Sequence, residues 1–560
     1  MITKTSVLLN LTFSQLQSIK IPSTLFLGTF LLLFSMGCNR DKVSSLKSQQ
    51  TLDSTFIFSY MKAEPKFALQ LNWGKKFYRE RKFQLGWFKE NKLVPQAKEM
   101  LSVIAKADED ALDPKDYQIK DFVKLFADLE NARKDIAGYR KLQGEIDVAL
   151  SSTYFLWASD FYRGKVTPVE NERLQWDVKK NKIKLHKALS AVLQLRKSKY
   201  DYADFQPLHP EYRNLKIALA NHRKIKAAGG WPEIPQKTKL KPGQNSAGVI
   251  ILRKRLGNIS TVTDTANQKV YDTSLVEAVK LFQKNQGLKP DGVVGGETLR
   301  LLNIPVEKQI STIILNMERW RWIPKSFEPD YLIVNIPEYR LRVFEKGQQK
   351  ITMKVIVGKT LNSTPIFSDK MEYIVLSPYW NVPMSIIQKE LIPKLISNPN
   401  YLERLDMEVV TNKSKVVDAT SIDWASVNES NFKYILRRRP GPKNDLGDVK
   451  FIFPNNNDIY LHDTPNDQLF NETKRGFSHG CVRVEKPLDL AVYLLRNVSG
   501  YNRSKIESLI ADRKEKHVSL KKVIPVYLVY FTAWADEKGS VSFREDIYGH
   551  DKTLAAEYFN

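Results

Sequence analysis

The chain has 560 residues, which is too long for one hydrophobic core and indicates several domains. Apolar residues make up 42% of the sequence and aromatic residues 11%, and this composition excludes a globally disordered protein. The formal net charge is +25, which favours polyanionic partners such as lipid head groups or acidic peptides. The basic residues are spread along the whole chain without a DNA-reading motif, so no nucleic acid partner is expected.

The N-terminus has the layout of a secretion signal. Residues 21–37 form a charge-free apolar run preceded by Lys4 and Lys20. The run ends directly before Cys38 and resembles a lipobox, where the signal is cut and the cysteine thiol is capped by diacylglycerol. The usual leucine three places before the cysteine is Ser35 here. An uncleaved membrane anchor is the alternative, because a run of this length is just long enough to span a bilayer.

Both interpretations place the rest of the chain outside the cytoplasm. The residue after Cys38 is Asn39 rather than aspartate, which by resemblance to Gram-negative sorting favours the outer over the inner membrane. We therefore expect a periplasmic, membrane-anchored lipoprotein. The only other cysteine is Cys481, which is left without an intramolecular partner if Cys38 is acylated. A lone thiol in an oxidising compartment is either buried and inert or present for its chemistry.

The periodicity of apolar residues changes several times along the chain. Three- and four-residue spacing predicts helices in the first half, and β-branched runs separated by turns predict strands after Tyr331. The predicted organisation is a signal peptide (1–37), a helical scaffold domain (50–235), a three-helix module (244–304), a connecting helix (305–325), a strand-rich domain (326–535) with an insertion at about 385–432, and a C-terminal tail (536–560).

Residues 244–304 predict a compact bundle of three helices. Ser274 begins a capping box, and Gly287 ends the same helix in the left-handed conformation. The order of apolar residues and turn glycines closely resembles the small peptidoglycan-binding module. This resemblance rests on Leu281-Phe282-Gln283, Gln286-Gly287-Leu288 and Asp291-Gly292-Val293.

The residues that carry chemistry lie close together in the sequence. His462 ends a predicted strand, and fifteen residues separate it from Ser478-His479-Gly480-Cys481. A thiolate is a strong nucleophile, but a free thiol with a pKa of about 8.5 is mostly protonated at neutral pH. A histidine within reach can take that proton and later return it to a leaving amine. The pattern therefore predicts a thiol acyl-transfer site.

The flanking residues extend this site and leave one role open. Gly480 allows close backbone approach, so that neighbouring amides can hold an oxyanion, and Arg483 can grip a carboxylate through two hydrogen bonds. If the segment is a strand, His479 shares a face with Cys481, which makes it the alternative base to His462. A zinc site is disfavoured because two histidines and one cysteine supply only three ligands. Residues 437–439, three arginines, are interpreted as a solvated basic loop.

The spacing His-x15-Ser-His-Gly-Cys resembles the signature of the L,D-transpeptidase catalytic domain of the YkuD type. The resemblance implies that Cys481 is the nucleophile and His462 the proton donor and acceptor. It also implies that His479 and Gly480 shape the oxyanion hole and that Ser478 and Arg483 contact the substrate. Many members have asparagine where this chain has Arg483, but arginine is found in the large Gram-negative-type subgroup. Further segments that resemble this subgroup are Asn316-Met317-Glu318-Arg319-Trp320, Thr364-Pro365, Trp380-Asn381-Val382-Pro383 and Tyr530-Phe531-Thr532-Ala533-Trp534.

The resemblance implies a fold and a reaction. The fold class is multidomain α+β, with a mostly-β sandwich as catalytic domain, a helical insertion, a helical scaffold and the three-helix module. The reaction joins peptidoglycan stem peptides on glycan strands by 3–3 cross-links, needs no metal or organic cofactor, and makes carbapenems covalent inhibitors. An L,D-carboxypeptidase, a transferase that attaches proteins to the wall, and a non-catalytic wall-binding lipoprotein remain alternatives.

Overall fold

The computed structural model describes most of the chain after the predicted signal. The predicted signal segment 21–37 and Cys38 lie outside the described residues. None of the helices within the described ranges combines the length and the apolar character that crossing a bilayer requires. The described residues are 50–117, 119–168, 176–178, 183–194, 209–257, 268–324, 326–398 and 400–559.

The N-terminal region is helical, as its apolar spacing predicts. Its longest helix, Ile136–Arg163, is capped by Asp135, whose side chain accepts the Ala137 N–H at 3.1 Å. The helix ends at Gly164 (φ +90°), where an added Cβ would lie 2.5 Å from the indole nitrogen of Trp322, so only glycine fits. The other helices of this region are Ser54–Ala63, Pro65–Ala68, Leu71–Glu80, Pro95–Ile104, Asp121–Asn131, Leu185–Gln194 and Pro210–Ala227.

The connecting helix Val306–Trp322 joins the scaffold to the C-terminal half in one core. Buried apolar residues of the scaffold, of this helix and of the catalytic sheet form a single continuous cluster. Glu318 is fully buried, binds the Arg321 guanidinium at 2.9 Å and accepts the Val166 N–H at 2.8 Å. Because a buried charge needs such partners, this junction holds the scaffold and the helix in a defined arrangement.

The three-helix module folds around an apolar cluster of its own, as predicted. Its helices are Ala247–Leu256, Thr273–Asn285 and Gly296–Leu302. The predicted cap was wrong: Asp272, not Ser274, accepts the Leu275 N–H at 3.0 Å. Gly287 adopts the predicted left-handed conformation (φ +75°) after the second helix.

The C-terminal half is built on one closed β-sheet. Its strands are β1 Tyr331–Asn335, β2 Arg340–Glu345, β3 Gln348–Gly358, β4 Ile366–Leu376, β5 Val449–Ile452, β6 Leu461–His462, β7 Val482–Val484 and β8 Lys516–Val529. Hydrogen bonds connect these strands in the order β5-β6-β7-β3-β2-β1-β8-β4, and β4 also pairs with β5, which closes the sheet. The multidomain α+β class is thereby confirmed. The strands that were predicted to form a sandwich form one closed sheet.

Shorter elements complete this half. Gly476–Ser478 pairs with β3 and Trp176–Asp177 pairs with β4, both in parallel orientation. Helices Pro487–Leu495 and Arg503–Ala511 lie between β7 and β8 in the chain. The segment predicted as a C-terminal tail contains a strand of the hairpin Ala533–Ala535 with Val541–Phe543, and then the helix His550–Tyr558.

The insertion predicted as helical, residues 385–432, is only partly helical. Met407–Val410 and Val416–Val417 form an antiparallel hairpin, which Ile435–Arg438 and Trp380–Asn381 extend to a four-stranded sheet over a separate apolar cluster. The strands were not predicted because the polar loop 411–415 divides the β-branched residues into two short runs. Each run is too short to show the two-residue alternation of a strand. The helical turns of the insertion are Met384–Ile386, Ile387–Leu391, Ile392–Ser397 and Tyr401–Arg404.

Candidate active site

The register of three strands brings the predicted residues onto one face of the sheet. His462 in β6 lies opposite Lys450 in β5 on one side and opposite Arg483 in β7 on the other. Side chains alternate along a strand, so residues paired in register share a face. Tyr460 and Cys481 stand two residues before His462 and Arg483, and the β6–β7 ladder continues to this level. Lys450, His462 and Arg483 thus form one row of side chains across this face, and Tyr460 and Cys481 belong to the next row. The thiol and the imidazole therefore lie on the same face in neighbouring rows.

The opposite face of these strands belongs to the core. Phe451, Leu461 and Val482 are fully buried and pair with one another across β5, β6 and β7. A shift of the strand register by one residue would move these apolar side chains to the outer face. Burial of the inner face thus fixes which residues point outward to the site.

Cys481 is a half-buried thiol next to Tyr460. Burial raises the pKa of the Cys481 thiol, while hydrogen bonds from Tyr460 and the positive charge of Lys450 act to lower it. The sulfur also lies 3.8 Å from the carbonyl oxygen of Asp458. The Lys450 ammonium lies 3.8 Å from the centre of the Tyr460 ring, so the cation and the phenol form a cation–π contact beside the sulfur.

His462 is buried and neutral. Its Nδ1 lies 2.5 Å from the carbonyl oxygen of Asp463, and because a carbonyl only accepts, Nδ1 carries the proton and Nε2 has a free lone pair. Burial, followed by the charges of Arg483 and Lys450, lowers the pKa of His462 to about 3. Within the described residues, no hydrogen bond joins His462 to Cys481. The imidazole is therefore in the protonation state of a base, one row away from the thiol.

His479 points to the insertion. Its Nε2 lies 3.3 Å from a carboxylate oxygen of Glu390, and its side chain is 46% exposed. This contact links the loop before Cys481 to the helical turns of the insertion. The geometry thus gives His479 a carboxylate partner outside the sheet, and the choice of base between His462 and His479 stays a prediction.

Ser478 and Gly480 shape the backbone in front of the nucleophile. The Ser478 hydroxyl donates to the Cys481 carbonyl oxygen at 2.6 Å and accepts the Gly480 N–H at 3.2 Å. Gly480 has φ +121°, a conformation that other residues rarely adopt. The Gly480 N–H is therefore already engaged, whereas the Cys481 N–H has no acceptor among the described hydrogen bonds.

Arg483 offers an unused hydrogen-bond donor. Its Nε is buried and has no acceptor within the described residues. Burial lowers the pKa of Arg483, and the charge of Asp445 acts in the opposite direction. A guanidinium with a free donor on the same face as the thiol suits a carboxylate of a bound ligand. The described residues contain no cluster of three or more metal-ligating side chains.

Several residues of the site were not predicted from the sequence. Tyr460 was detectable, because it stands two residues before His462 and must share its face. Lys450 and Glu390 come from a neighbouring strand and from the insertion, and Thr364 comes from the loop after β3. Nothing in the local pattern around Cys481 indicates these three.

In the absence of substrate, the alkylation of Cys481 by iodoacetamide is expected to accelerate continuously from pH 7 to beyond about pH 9. The thiolate reacts, and burial holds the pKa of this thiol above its ordinary value. A neutral His462 provides no imidazolium that would stabilise a thiolate at neutral pH. The measurement is the alkylation rate by intact mass spectrometry of a Cys38→Ser variant, with free cysteine as the reference. A rate already maximal at pH 7 would contradict the neutral pair.

Family comparisons divide the chain into three matched regions. Residues 73–219 match a scaffold domain, and residues 245–302 match a putative peptidoglycan-binding domain. Residues 329–506, which contain the rows of His462 and Cys481, match YkuD, the L,D-transpeptidase catalytic domain. The resemblance predicted from the sequence is confirmed for this domain and for the peptidoglycan-binding module.

Individual relatives of the L,D-transpeptidase domain cover part of the chain. A putative L,D-transpeptidase of Haemophilus influenzae is 35% identical over 286 residues, which are 50% of this chain and 57% of that protein. The chain thus spans little more than half the length of this curated relative. A solved L,D-transpeptidase from Xylanimonas cellulosilytica is 15% identical and covers 53% of this chain and 98% of its own, with a TM-score of 0.17. A solved L,D-transpeptidase from Stackebrandtia nassauensis is 14% identical and covers 53% of this chain and 96% of its own, with a TM-score of 0.20. Their TM-scores are too low to bear on the fold.

Proposed function

We propose that the protein is a peptidoglycan L,D-transpeptidase in which Cys481 is the nucleophile and His462 its proton acceptor and donor. The observation that carries this proposal is the shared face of Cys481, His462 and Arg483 within a domain of this family. A half-buried thiol, a neutral imidazole and a guanidinium with a free donor are the groups that acyl transfer from a carboxylate-bearing peptide requires. No cofactor is part of this proposal.

The first half of the reaction cleaves the donor stem. His462 Nε2 takes the thiol proton, and the Cys481 sulfur bonds to the carbonyl carbon of residue three of the stem, whose oxygen becomes an oxyanion. When the intermediate collapses, the C–N bond to D-Ala at position four breaks. The leaving amine takes the proton from the imidazolium, and residue three remains as a thioester on Cys481.

The second half forms the cross-link. The side-chain amine of the diamino acid in an acceptor stem attacks the thioester carbonyl and gives its proton to His462. The C–S bond breaks, the sulfur takes the proton back, and a 3–3 amide bond remains. Each cycle thus releases one D-Ala and restores both His462 and Cys481.

Arg483 provides a reason why the base becomes stronger when substrate is bound. Its positive charge is one cause of the low pKa of His462. A substrate carboxylate on the guanidinium would offset this charge, and an anion near an imidazole raises its pKa. We therefore assign Arg483 to the binding of a stem carboxylate, and Ser478, His479 and Gly480 to the pocket and the backbone of the oxyanion hole.

The remaining domains fit an enzyme that acts on a polymer. The peptidoglycan-binding module holds glycan strands near the active site and raises the local concentration of stems. The proposed location is the periplasm, with the chain anchored through Cys38 in the outer membrane. This location is supported by the sequence of the first forty residues.

The decisive measurement for this proposal is the mass of the products formed from purified tetrapeptide-containing muropeptides. Cross-linked dimers joined through residue three, with release of D-Ala, are the expected products. Tripeptides without dimers would instead identify an L,D-carboxypeptidase, in which water replaces the acceptor amine. Unchanged muropeptides, with a folded protein that still binds peptidoglycan, would support a non-catalytic wall-binding lipoprotein.

A further inference from the structure

The C-terminal segment returns to the loop that carries the catalytic cysteine. Tyr548 lies beyond the region that matches the L,D-transpeptidase family. Its hydroxyl donates to the Gly358 carbonyl oxygen at 2.6 Å and accepts the Thr364 N–H at 3.3 Å. Gly358 ends β3 and Thr364 follows in the next loop, so one phenol joins both ends of this turn.

Tyr548 is itself held in place by part-buried polar contacts. Its N–H donates to the Tyr530 hydroxyl at 2.9 Å, and that hydroxyl donates to Asp546 at 2.7 Å. The helix His550–Tyr558 that follows is tied to the connecting helix through Asp551, which binds the Arg319 guanidinium at 2.6 Å with both groups buried. The phenol therefore has little freedom to leave the turn.

Thr364 carries this contact to the residue before the nucleophile. Its hydroxyl accepts the Gly358 N–H at 2.9 Å and donates to the Gly480 carbonyl oxygen at 2.7 Å. The side chain is 1% exposed, so water does not compete for either bond. Glycine places few restrictions on its own backbone, and the Gly480–Cys481 peptide needs such an external bond to keep one orientation.

The orientation of this peptide decides where the Cys481 N–H points. In a trans peptide the carbonyl and the N–H lie in one plane and point in opposite directions. A bond from Thr364 that holds the Gly480 oxygen therefore also directs the Cys481 N–H away from Thr364. The Cys481 N–H is unused among the described hydrogen bonds, and the amide of the nucleophile is well placed to stabilise an oxyanion that forms on the attacked carbonyl.

We propose that Thr364 and Tyr548 are positioning residues that orient the Gly480–Cys481 peptide, so that the Cys481 N–H serves as an oxyanion donor. The inference rests on the proposed function, because an oxyanion forms only if Cys481 performs acyl transfer. It predicts that these residues affect acylation of the thiol and not its intrinsic reactivity, because alkylation by iodoacetamide forms no oxyanion.

The test compares two reactions of the same thiol in the full-length protein. Thr364→Val and Tyr548→Phe are expected to slow acylation by a carbapenem by about 10- to 100-fold, since misplacing a catalytic group by a fraction of an ångström to an ångström has this effect. Alkylation by iodoacetamide is expected to stay within about twofold of wild type across the pH range. Both rates are followed by intact mass spectrometry.

Two further variants separate positioning from general damage. Thr364→Ser keeps the hydroxyl and is expected to restore most of the acylation rate. Tyr527→Phe removes a phenol that binds Glu328 at 2.6 Å in another part of the domain, and is expected to leave both rates unchanged.

Three results would overturn the inference. Equal losses of acylation and alkylation would mean that the variants only disturb access to the thiol. Unchanged acylation in both variants would mean that the peptide needs no external bond. A wild-type protein whose thiol is alkylated by iodoacetamide but never acylated by the carbapenem would contradict both the proposed function and this inference. A loss of acylation in the variants alone leaves the proposed function intact.

Discussion

Replacing Cys481 with alanine is expected to abolish cross-linking and to eliminate the covalent carbapenem adduct. The proposed reaction passes through a thioester on this sulfur, so the expected loss in rate is at least about 10⁴-fold. The adduct is measured by intact mass spectrometry of the full-length protein, and cross-linking by the mass of muropeptide products. Both readouts should change together, because the same thioester chemistry underlies them.

The small number of cysteines makes this experiment unusually clear. Cys38 is the only other cysteine of the chain, so a Cys38→Ser variant that keeps the adduct assigns it to Cys481. Cys481→Ser keeps a nucleophilic atom in nearly the same place but is also expected to lose most activity, because a hydroxyl is far harder to deprotonate than a thiol. An adduct that persists in Cys481→Ala would falsify the assignment of the nucleophile. No adduct on a folded wild-type protein would favour a wall-binding lipoprotein.

The central residues of the site were predictable because the information that places them is local. His462 ends β6 and Cys481 directly precedes β7, the strand paired with β6, and strand alternation puts both residues on one face. The three-helix module was predictable for a similar reason, since its helical spacing and turn glycines fall within about sixty residues. Its cap was wrong by two positions, because Asp272 accepts the Leu275 N–H and the Ser274 hydroxyl donates to Asp272 instead of accepting an amide N–H.

The supporting contacts were not predictable because their partners are distant in the chain. Thr364 and Gly480 are 116 residues apart, and Tyr548 and Gly358 are 190 residues apart. Periodicity reports only which face a residue occupies within its own element, and it carries no information about such pairs. The segment after residue 535 was therefore described as a tail, although it contacts the loop beside the nucleophile.

The interpretation of residues 437–439 as a solvated basic loop was wrong for the same reason. Arg437 and Arg439 both bind Glu408, at 2.8 Å and 2.9 Å, and Arg438 binds Asp445. Strand Ile435–Arg438 pairs with Met407–Val410, which supplies the carboxylate from a distant part of the sequence. These arginines therefore hold the insertion together.

Replacing His462 with alanine is expected to reduce the acylation rate of Cys481 by about 10²- to 10⁴-fold, the range found for the loss of a general base. The reason is that a thiol whose pKa is raised by burial needs an acceptor for its proton during attack. The leaving amine also loses its proton donor, so raising the pH should recover only part of the rate. The rate is measured as carbapenem acylation by intact mass spectrometry between pH 6 and 10.

His479→Ala is the matched control, because the same side chain is removed two residues before the nucleophile. It breaks the contact with Glu390 on the insertion but leaves the row of Lys450, His462 and Arg483 intact. Its acylation rate is expected to fall by less than about tenfold, with the pH profile of the wild type. The opposite result, a large loss in His479→Ala and a small one in His462→Ala, would transfer the role of base to His479. In that case the carbonyl contact at Nδ1 of His462 would serve only to orient the strand beside the thiol.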